Sequence, residues 1–184
     1  MQSTLSMATT EFKVNLRSFT DYMKEVENAP LWKNAGALRH SSPEGGNDTV
    51  GFGHKMTDAE VTSGKIYGID VATMTRDDAN TILAVDLLKH KNRIKRQHPK
   101  EWEMLSIREK QMLIDFDFNL RGGVKSFPKF KQAVFNNDIP TQRKEYVRKY
   151  KNAEGKMVPI GERNRIFYKE FLSFEATGVP EAAN

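Results

Sequence analysis

The chain contains no cysteine among its 184 residues. This absence excludes disulfide bonds and thiol-based catalysis, and it is compatible with synthesis in a reducing cytoplasm. The sequence also lacks an apolar run long enough for a membrane helix. Residues 1–16 have neither the charged start nor the apolar centre of a secretory signal, so we expect no signal peptide and no stable membrane insertion.

The histidines also lack a pattern typical of metal binding. His40, His54, His90 and His98 do not have the spacing or the companion residues of a zinc or iron site. We therefore expect no metal and no other cofactor.

Basic residues are in modest excess, with 29 Lys and Arg against 24 Asp and Glu and a net charge of +5. Much of the excess falls in residues 89–100 and 143–151. Each cluster is more typical of a solvated helix face than of a binding surface, although nucleic acid and the anionic bacterial cell wall are both chemically possible partners. Because no helix-turn-helix, zinc or single-strand-binding pattern accompanies the clusters, we expect no nucleic-acid partner.

Residues 40–54 combine carboxylates, hydroxyl groups and imidazoles with four glycines. The Gly45-Gly46-Asn47-Asp48 segment is typical of a turn, and residues 49–52 alternate small or polar side chains with apolar ones. This pattern predicts a glycine-rich hairpin, in which the glycines allow another molecule to approach the backbone closely.

An amphipathic helix is predicted just before this hairpin, over residues 17–28. Phe19, Met23 and Val26 recur at helical spacing, and the proline at position 30 disfavours continuation. Glu27 follows Met23 by four residues and shares the apolar face, whereas Glu25 points away from it. A carboxyl group shielded by apolar neighbours is expected to have a raised pKa, which suits a general acid.

The remaining pattern predicts one α+β domain over residues 15–175, with flexible segments at 1–14 and 176–184. A small sheet is expected over residues 35–57, and a long helix over 76–97 links it to a helical lobe. Trp32 and Trp102 are interpreted as packing residues, with sugar stacking an alternative for Trp32. Further helices are predicted over residues 58–66, 101–120, 129–136, 140–149 and 162–171.

The order of these motifs resembles the phage-type lysozymes. Their pattern is a catalytic Glu, a second acid and then Thr-Ile-Gly-x-Gly-His, which is similar to Glu27 followed by Asp48-Thr49-Val50-Gly51-Phe52-Gly53-His54. Residues 74–79 resemble the start of the family's connecting helix, residues 116–123 its Phe-Asn-x-Gly segment, and residues 161–165 its last helix. The resemblance implies a lysozyme-like α+β fold, with a small N-terminal β-hairpin lobe joined by a long helix to a helical C-terminal lobe and a substrate cleft between the lobes.

The resemblance also implies a glycoside hydrolase that cleaves the β-1,4 bond between N-acetylmuramic acid and N-acetylglucosamine. Glu27 is the implied general acid. The spacing from Glu27 to Thr49 is longer than the family pattern, so the second acid is either Glu44, which we favour, or Asp48. With Thr49, this second acid would position a water on the opposite sugar face, and the resemblance favours inversion of the anomeric centre.

Four more residues have implied supporting roles. His54 is expected to hold the hairpin in register, and Asn119 belongs to the Phe-Asn-x-Gly-like segment. By resemblance, Arg163 or Arg165 would approach Glu27 from the last helix. The expected partner is peptidoglycan, and the chain is expected to be a monomer, held in the host cytoplasm until release to the wall or carried in the virion.

Two rival functions stay open at this point. A lytic transglycosylase would use the same glutamate on the same polymer without a second acid. A catalytically inactive wall-binding or virion structural module would retain the fold alone.

Overall fold

A computed structural model of the chain describes residues 19–29, 31, 38–40, 48–119, 122–151 and 154–173. Glu44, Trp32 and both predicted flexible termini lie outside the described residues. The chain divides into two compact units, Met1–Pro99 and Lys100–Asn184.

The first unit begins with helix α1, described over residues 19–29. Of its predicted apolar face, Phe19 and Met23 are buried and Val26 is half-buried. The rings of Phe19 and Tyr22 stack 6.0 Å apart. Glu25 is exposed and Glu27 is half-buried. The helical spacing of the apolar residues therefore predicted correctly which glutamate lies nearer the core.

A three-stranded antiparallel sheet follows, formed by β1 (Arg39–His40), β2 (Thr49–Val50) and β3 (His54–Lys55). Thr49 pairs with His40 on one side and with Lys55 on the other. Gly51, with φ of 58°, and Gly53, with φ of 96°, make the turn between β2 and β3. Glycine adopts these positive φ angles at low cost, which explains the turn at this point.

Helix α2 (Asp58–Ser63) and the short pair β4 (Lys65–Ile66) and β5 (Ile69–Asp70) come next. The helix predicted over residues 58–66 is too long, because Gly64 adopts a left-handed conformation with φ of 67° and ends α2. Helix α3 (Arg76–Gln97) has the predicted bounds. Thr75 and Asp78 cap its start reciprocally.

The helix predicted over residues 101–120 is instead two helices, α4 (Pro99–Met104) and α5 (Ile107–Asn119). Ser106 begins the second one: its backbone N–H donates to Glu109 Oε2 over 2.8 Å, and the Glu109 N–H donates to Ser106 Oγ over 3.3 Å. This reciprocal capping satisfies backbone groups at the start of α5 and explains why the helix restarts there.

A 3₁₀ turn (Gly123–Ser126) leads to α6 (Pro128–Phe135) and α7 (Ile139–Glu145). The predicted end of the helix over residues 140–149 was wrong, because α7 stops at Glu145. Lys149–Lys151 instead form strand β6, which pairs with β7 (Met157–Pro159). Helix α8 (Gly161–Phe167) then continues as a π-helical turn, Tyr168–Leu172.

The core of this second unit is aromatic. The Phe116 ring stacks on Phe130 at a centroid distance of 4.0 Å and meets the Phe167 ring edge-on at 5.2 Å. Trp102 is also buried, which confirms its prediction as a packing residue. The described residues thus combine helices with small antiparallel strand pairs, which confirms the predicted α+β class.

Candidate active site

Glu27 lies in the last turn of α1 that the structure describes. Its side chain is half-buried, and its Oε1 atom is shielded from solvent. The neighbouring glutamate, Glu25, is exposed on the opposite side of the helix. Of the two glutamates of α1, Glu27 is therefore the one in a partly shielded environment.

The residue after Glu27 joins the helix to the sheet. Asn28 Nδ2 donates a hydrogen bond of 3.0 Å to the backbone carbonyl of Gly51, and Asn28 Oδ1 accepts one of 3.1 Å from the Leu31 N–H. Gly51 comes two residues after Thr49 in the same hairpin. The Asn28 amide thus ties the end of the helix that carries Glu27 to the strand that carries Thr49.

Thr49 on β2 and Asp48 immediately before it lie in different environments. Thr49 is half-buried in the central strand of the sheet. Asp48 accepts a hydrogen bond and forms an ion pair with Arg39, whose Nε lies 2.6 Å from Asp48 Oδ2. Asp48 is therefore already engaged by a cation across the sheet, while Glu44 lies outside the described residues.

His54 on β3 is held by two carboxylates. Its Nδ1 lies 2.8 Å from Asp86 Oδ2 on α3, and its Nε2 lies 3.1 Å from Glu60 Oε2 on α2. The exposed fraction of the imidazole is only 10%. His54 therefore connects the three-stranded sheet to both neighbouring helices.

The carboxylates that hold His54 are themselves hydrogen-bonded. Glu60 Oε2 accepts from the backbone N–H of Thr57 over 2.8 Å and from its hydroxyl over 2.9 Å, within the cap of α2. The Tyr67 hydroxyl donates to Asp86 Oδ1, and its ring meets the His54 ring edge-on. The Lys89 ammonium lies 4.0 Å from the centre of the Tyr67 ring. The network is thus held by side chains from α2, from α3 and from the turn between β4 and β5.

The charges of this network shift the ionisation of its members. Burial acts to lower the pKa of His54, but the hydrogen bonds and charges of Asp86 and Glu60 outweigh it and raise that pKa above its usual value. Burial acts to raise the pKa of Glu60, but hydrogen bonds from Thr57 and His54 hold it below its usual value. Both shifts favour an imidazolium paired with carboxylates.

The two arginines predicted on the last helix, Arg163 and Arg165, differ sharply in burial. Arg163 is buried, and its Nη2 lies 2.6 Å from Oδ1 of the fully buried Asp115. Arg148 Nη1 lies 2.6 Å from the other oxygen of Asp115, with its guanidinium over the Phe116 ring at 4.5 Å. Arg165 instead forms an exposed ion pair of 2.7 Å with Glu162.

Burial acts to raise the pKa of Asp115, but the charges of Arg148 and Arg163 outweigh it and hold that pKa below its usual range. The carboxylate is therefore ionised and fixes the guanidinium of Arg163 in place. Arg163 and Glu27 belong to different units, so an approach of Arg163 to Glu27 stays a prediction.

Asn119 ends α5 and is half-buried, with its Oδ1 atom shielded from solvent. Across the described ranges, no group of three or more His, Asp or Glu side chains is arranged to hold a metal ion. No helix within those same ranges is long and apolar enough to cross a membrane.

Sequence reasoning missed most partners of the site residues. Asp86 and Asp115 could have been noticed, because each is a charged residue among buried apolar neighbours of its helix. Glu60 follows Thr57 by three residues, which is the spacing of a capping box. The bond from Asn28 to Gly51 has no comparable signal, since it joins residues 23 positions apart.

Comparison with protein families matches residues 20–166 to the phage lysozyme family. No curated protein and no solved structure matches the chain significantly. The matched region includes Glu27, the Thr49 strand, His54 and Arg163, and it covers most of the chain. The chain belongs to the phage lysozyme family, and with it to the phage glycoside hydrolases that act on peptidoglycan.

Proposed function

We propose that this protein is a muramidase, which cleaves the β-1,4 bond between N-acetylmuramic acid and N-acetylglucosamine by general acid and base catalysis. Protonated Glu27 donates its proton to the glycosidic oxygen, and a second carboxylate activates a water on the opposite face of the sugar. The protein serves bacterial lysis or wall penetration by a phage, either as a free endolysin or as part of the virion.

The observation that carries this proposal is the hydrogen bond from Asn28 to Gly51. It fixes the helix end bearing Glu27 relative to the hairpin bearing Thr49, so an acid and a hydroxyl group are held on connected elements. Catalytic groups need such fixed relative positions, because small displacements reduce rates strongly. The His54 network adds support, since it anchors the same hairpin to α2 and α3.

Glu44 is our preferred second acid. Asp48 Oδ2 is already occupied by Arg39 Nε, so that oxygen is engaged by a side chain and not by a water. Thr49 orients the water or the sugar through its hydroxyl group. Arg163, whose guanidinium is fixed by Asp115, acts as a supporting residue, as do Asn119 and His54.

The second acid can be identified by comparing Glu44→Gln with Asp48→Asn on purified peptidoglycan. We expect Glu44→Gln to lose about 10²-fold or more in rate, as for removal of a general base, and Asp48→Asn to lose much less. Arg39→Gln serves as a control that frees Asp48 without removing it. A large loss in Asp48→Asn with a normal rate in Glu44→Gln would reverse the assignment.

Mass spectrometry of the released fragments tests the reaction itself. A muramidase gives reducing N-acetylmuramic acid ends that carry the elements of water. Fragments ending in the anhydro sugar, together with near-normal rates in both acid variants, would show a lytic transglycosylase. If the protein is folded but hydrolyses no wall at all, the result would favour a catalytically inactive structural module.

A further inference from the structure

We propose that Tyr67 is a positioning residue of the active site: it orients the Asp86 carboxylate, which in turn holds His54 and the hairpin formed by β2 and β3. This inference rests on the proposed function and names a residue that touches neither the sugar nor the water. Tyr67 lies in the turn between β4 and β5, with an exposed fraction of 38%. Its backbone conformation and the position of its hydroxyl group carry the proposal.

The backbone of Tyr67 is in a conformation that tyrosine seldom adopts. Ile66 pairs with Ile69, so Tyr67 and Gly68 form a two-residue hairpin turn, with φ of 51° and 86°. Turns with positive φ at both positions favour Asn, Asp or Gly in the first of them, because a larger side chain crowds the backbone there. Tyrosine is thus poorly suited to the turn itself, and the contacts of its side chain hold it there.

The Tyr67 side chain reaches a buried carboxylate. Its hydroxyl donates to Asp86 Oδ1, while His54 Nδ1 lies 2.8 Å from Asp86 Oδ2. Among the described residues, each oxygen of this carboxylate therefore has one side-chain partner. Asp86 is only 7% exposed, and a buried oxygen without a donor is destabilised by its lost hydration. Tyr67 thus fixes the plane in which the carboxylate meets the imidazole.

The ring of Tyr67 is held in place independently of its hydroxyl group. The rings of Tyr67 and His54 meet edge-on at a centroid distance of 5.6 Å, and the Lys89 ammonium lies 4.0 Å from the centre of the Tyr67 ring. Glu60 Oε2 lies 3.1 Å from the other nitrogen of His54. His54 therefore faces Asp86 and Glu60 together with this tyrosine, and a phenylalanine at position 67 would keep the ring contacts while losing the bond to Asp86.

His54 passes this constraint to the strand that carries Thr49. His54 pairs with Val50 across β2 and β3, and Val50 directly follows Thr49. If Asp86 loses its second donor, its carboxylate is free to turn, and the hairpin is held to α3 less firmly. Catalytic groups tolerate displacement poorly, so we expect a loss of rate at unchanged substrate binding.

The first test compares the kinetics of Tyr67→Phe, Tyr67→Asn and Tyr150→Phe, each in the full chain, on solubilised peptidoglycan. Tyr67→Phe removes only the hydroxyl group and is expected to lower kcat about fivefold while leaving KM unchanged. Tyr67→Asn suits the turn but also lacks the hydroxyl, so it should fold readily and lose at least as much kcat. Tyr150 is an exposed tyrosine of the second unit, and its variant is expected to retain full kcat.

NMR titration of the His54 imidazole gives a second readout that needs no enzymatic activity, with the spectrum of His54→Gln assigning the resonance. A loosened Asp86 stabilises the imidazolium less well, so in Tyr67→Phe the pKa of His54 is expected to fall toward its ordinary value of about 6.5. Tyr150→Phe should keep the wild-type value.

Full kcat in both Tyr67 variants would overturn the proposal. A His54 pKa in Tyr67→Phe that equals or exceeds the wild-type value would do the same. If the wild type cleaves no peptidoglycan while the pKa of His54 falls as expected, the proposed function fails, and the orientation of Asp86 by Tyr67 stands by itself.

Discussion

The His54 imidazole is bound to the Asp86 carboxylate over 2.8 Å, which links the end of the hairpin to the middle of α3. Asp86 is buried on the inner face of that helix, and Tyr67 donates to its other oxygen. The position of the hairpin that carries Thr49 therefore depends on a charged pair. Because the pair can gain or lose a proton, the stability of the folded protein should depend on pH.

The free energy of unfolding is expected to fall as pH rises above neutrality. The pKa of His54 is higher in the folded protein than in the unfolded chain, where it is about 6.5. The folded state thus holds the proton more tightly, so its stabilisation is complete below pH of about 6.5 and is lost as pH passes the folded pKa. Urea unfolding measured between about pH 6 and pH 9 would show this fall.

His54→Gln is the control for the pH effect, since it removes the titrating group. The variant should be less stable at about pH 6 and should lose less stability than the wild type as pH rises. A wild-type stability that increases between about pH 6.5 and pH 9 would contradict the assignment of His54 as a bound imidazolium. Asp58→Asn, which changes an exposed acid in the first turn of α2, should leave the slope unchanged.

Gly51→Ala is expected to destabilise the protein by about 1–3 kcal/mol. Gly51 has φ of 58°, and a Cβ atom there would lie 3.0 Å from Ala79 Cβ on α3. Both the positive φ angle of Gly51 and the close approach of Ala79 therefore disfavour a side chain at this position. Thermal melting of the variant measures the cost.

Thr49→Val provides the contrast in the same hairpin. It should lower the hydrolysis rate with little change in melting temperature, because it keeps the shape of the side chain and removes only the hydroxyl. A Gly51→Ala variant that melts like the wild type would show that α3 can move away from the hairpin. A Thr49→Val variant that melts early yet keeps its specific activity would make Thr49 a structural residue.

Asp115→Asn is expected to cost about 3–5 kcal/mol of stability, because it leaves two buried guanidinium groups without their counter-charge. Glu162→Gln removes the carboxylate of an exposed ion pair and should leave stability nearly unchanged. Chemical unfolding of both variants at pH 7 measures the difference. Similar small losses in the two variants would mean that the Asp115 cluster relaxes or admits water.

Local sequence signals predicted local structure well. The bounds of α3 follow from the Thr75 cap and its periodic apolar residues, and the burial order of Glu25 and Glu27 follows from helical spacing. The break between α4 and α5 was missed although Ser106 and Glu109 have capping spacing, because the apolar pattern continues across it. β6 was missed because its residues are exposed and lack an apolar alternation.

Contacts over long sequence separations could not be predicted. His54 and Asp86 are 32 positions apart, and Arg163 and Asp115 are 48 apart, so no local spacing relates them. Sequence alone identified His54 and Arg163 as candidate residues through the family resemblance. Only the folded chain supplies the carboxylates that hold them.

The most direct test of the central claim is the hydrolysis rate of Glu27→Gln on purified peptidoglycan, with a melting curve measured on the same sample. The substitution keeps the shape of the side chain and removes its transferable proton, so hydrolysis should be abolished while melting stays close to that of the wild type. Glu25→Gln, on the exposed side of the same helix, should retain nearly full activity. Full hydrolysis by a normally folded Glu27→Gln variant would contradict the account.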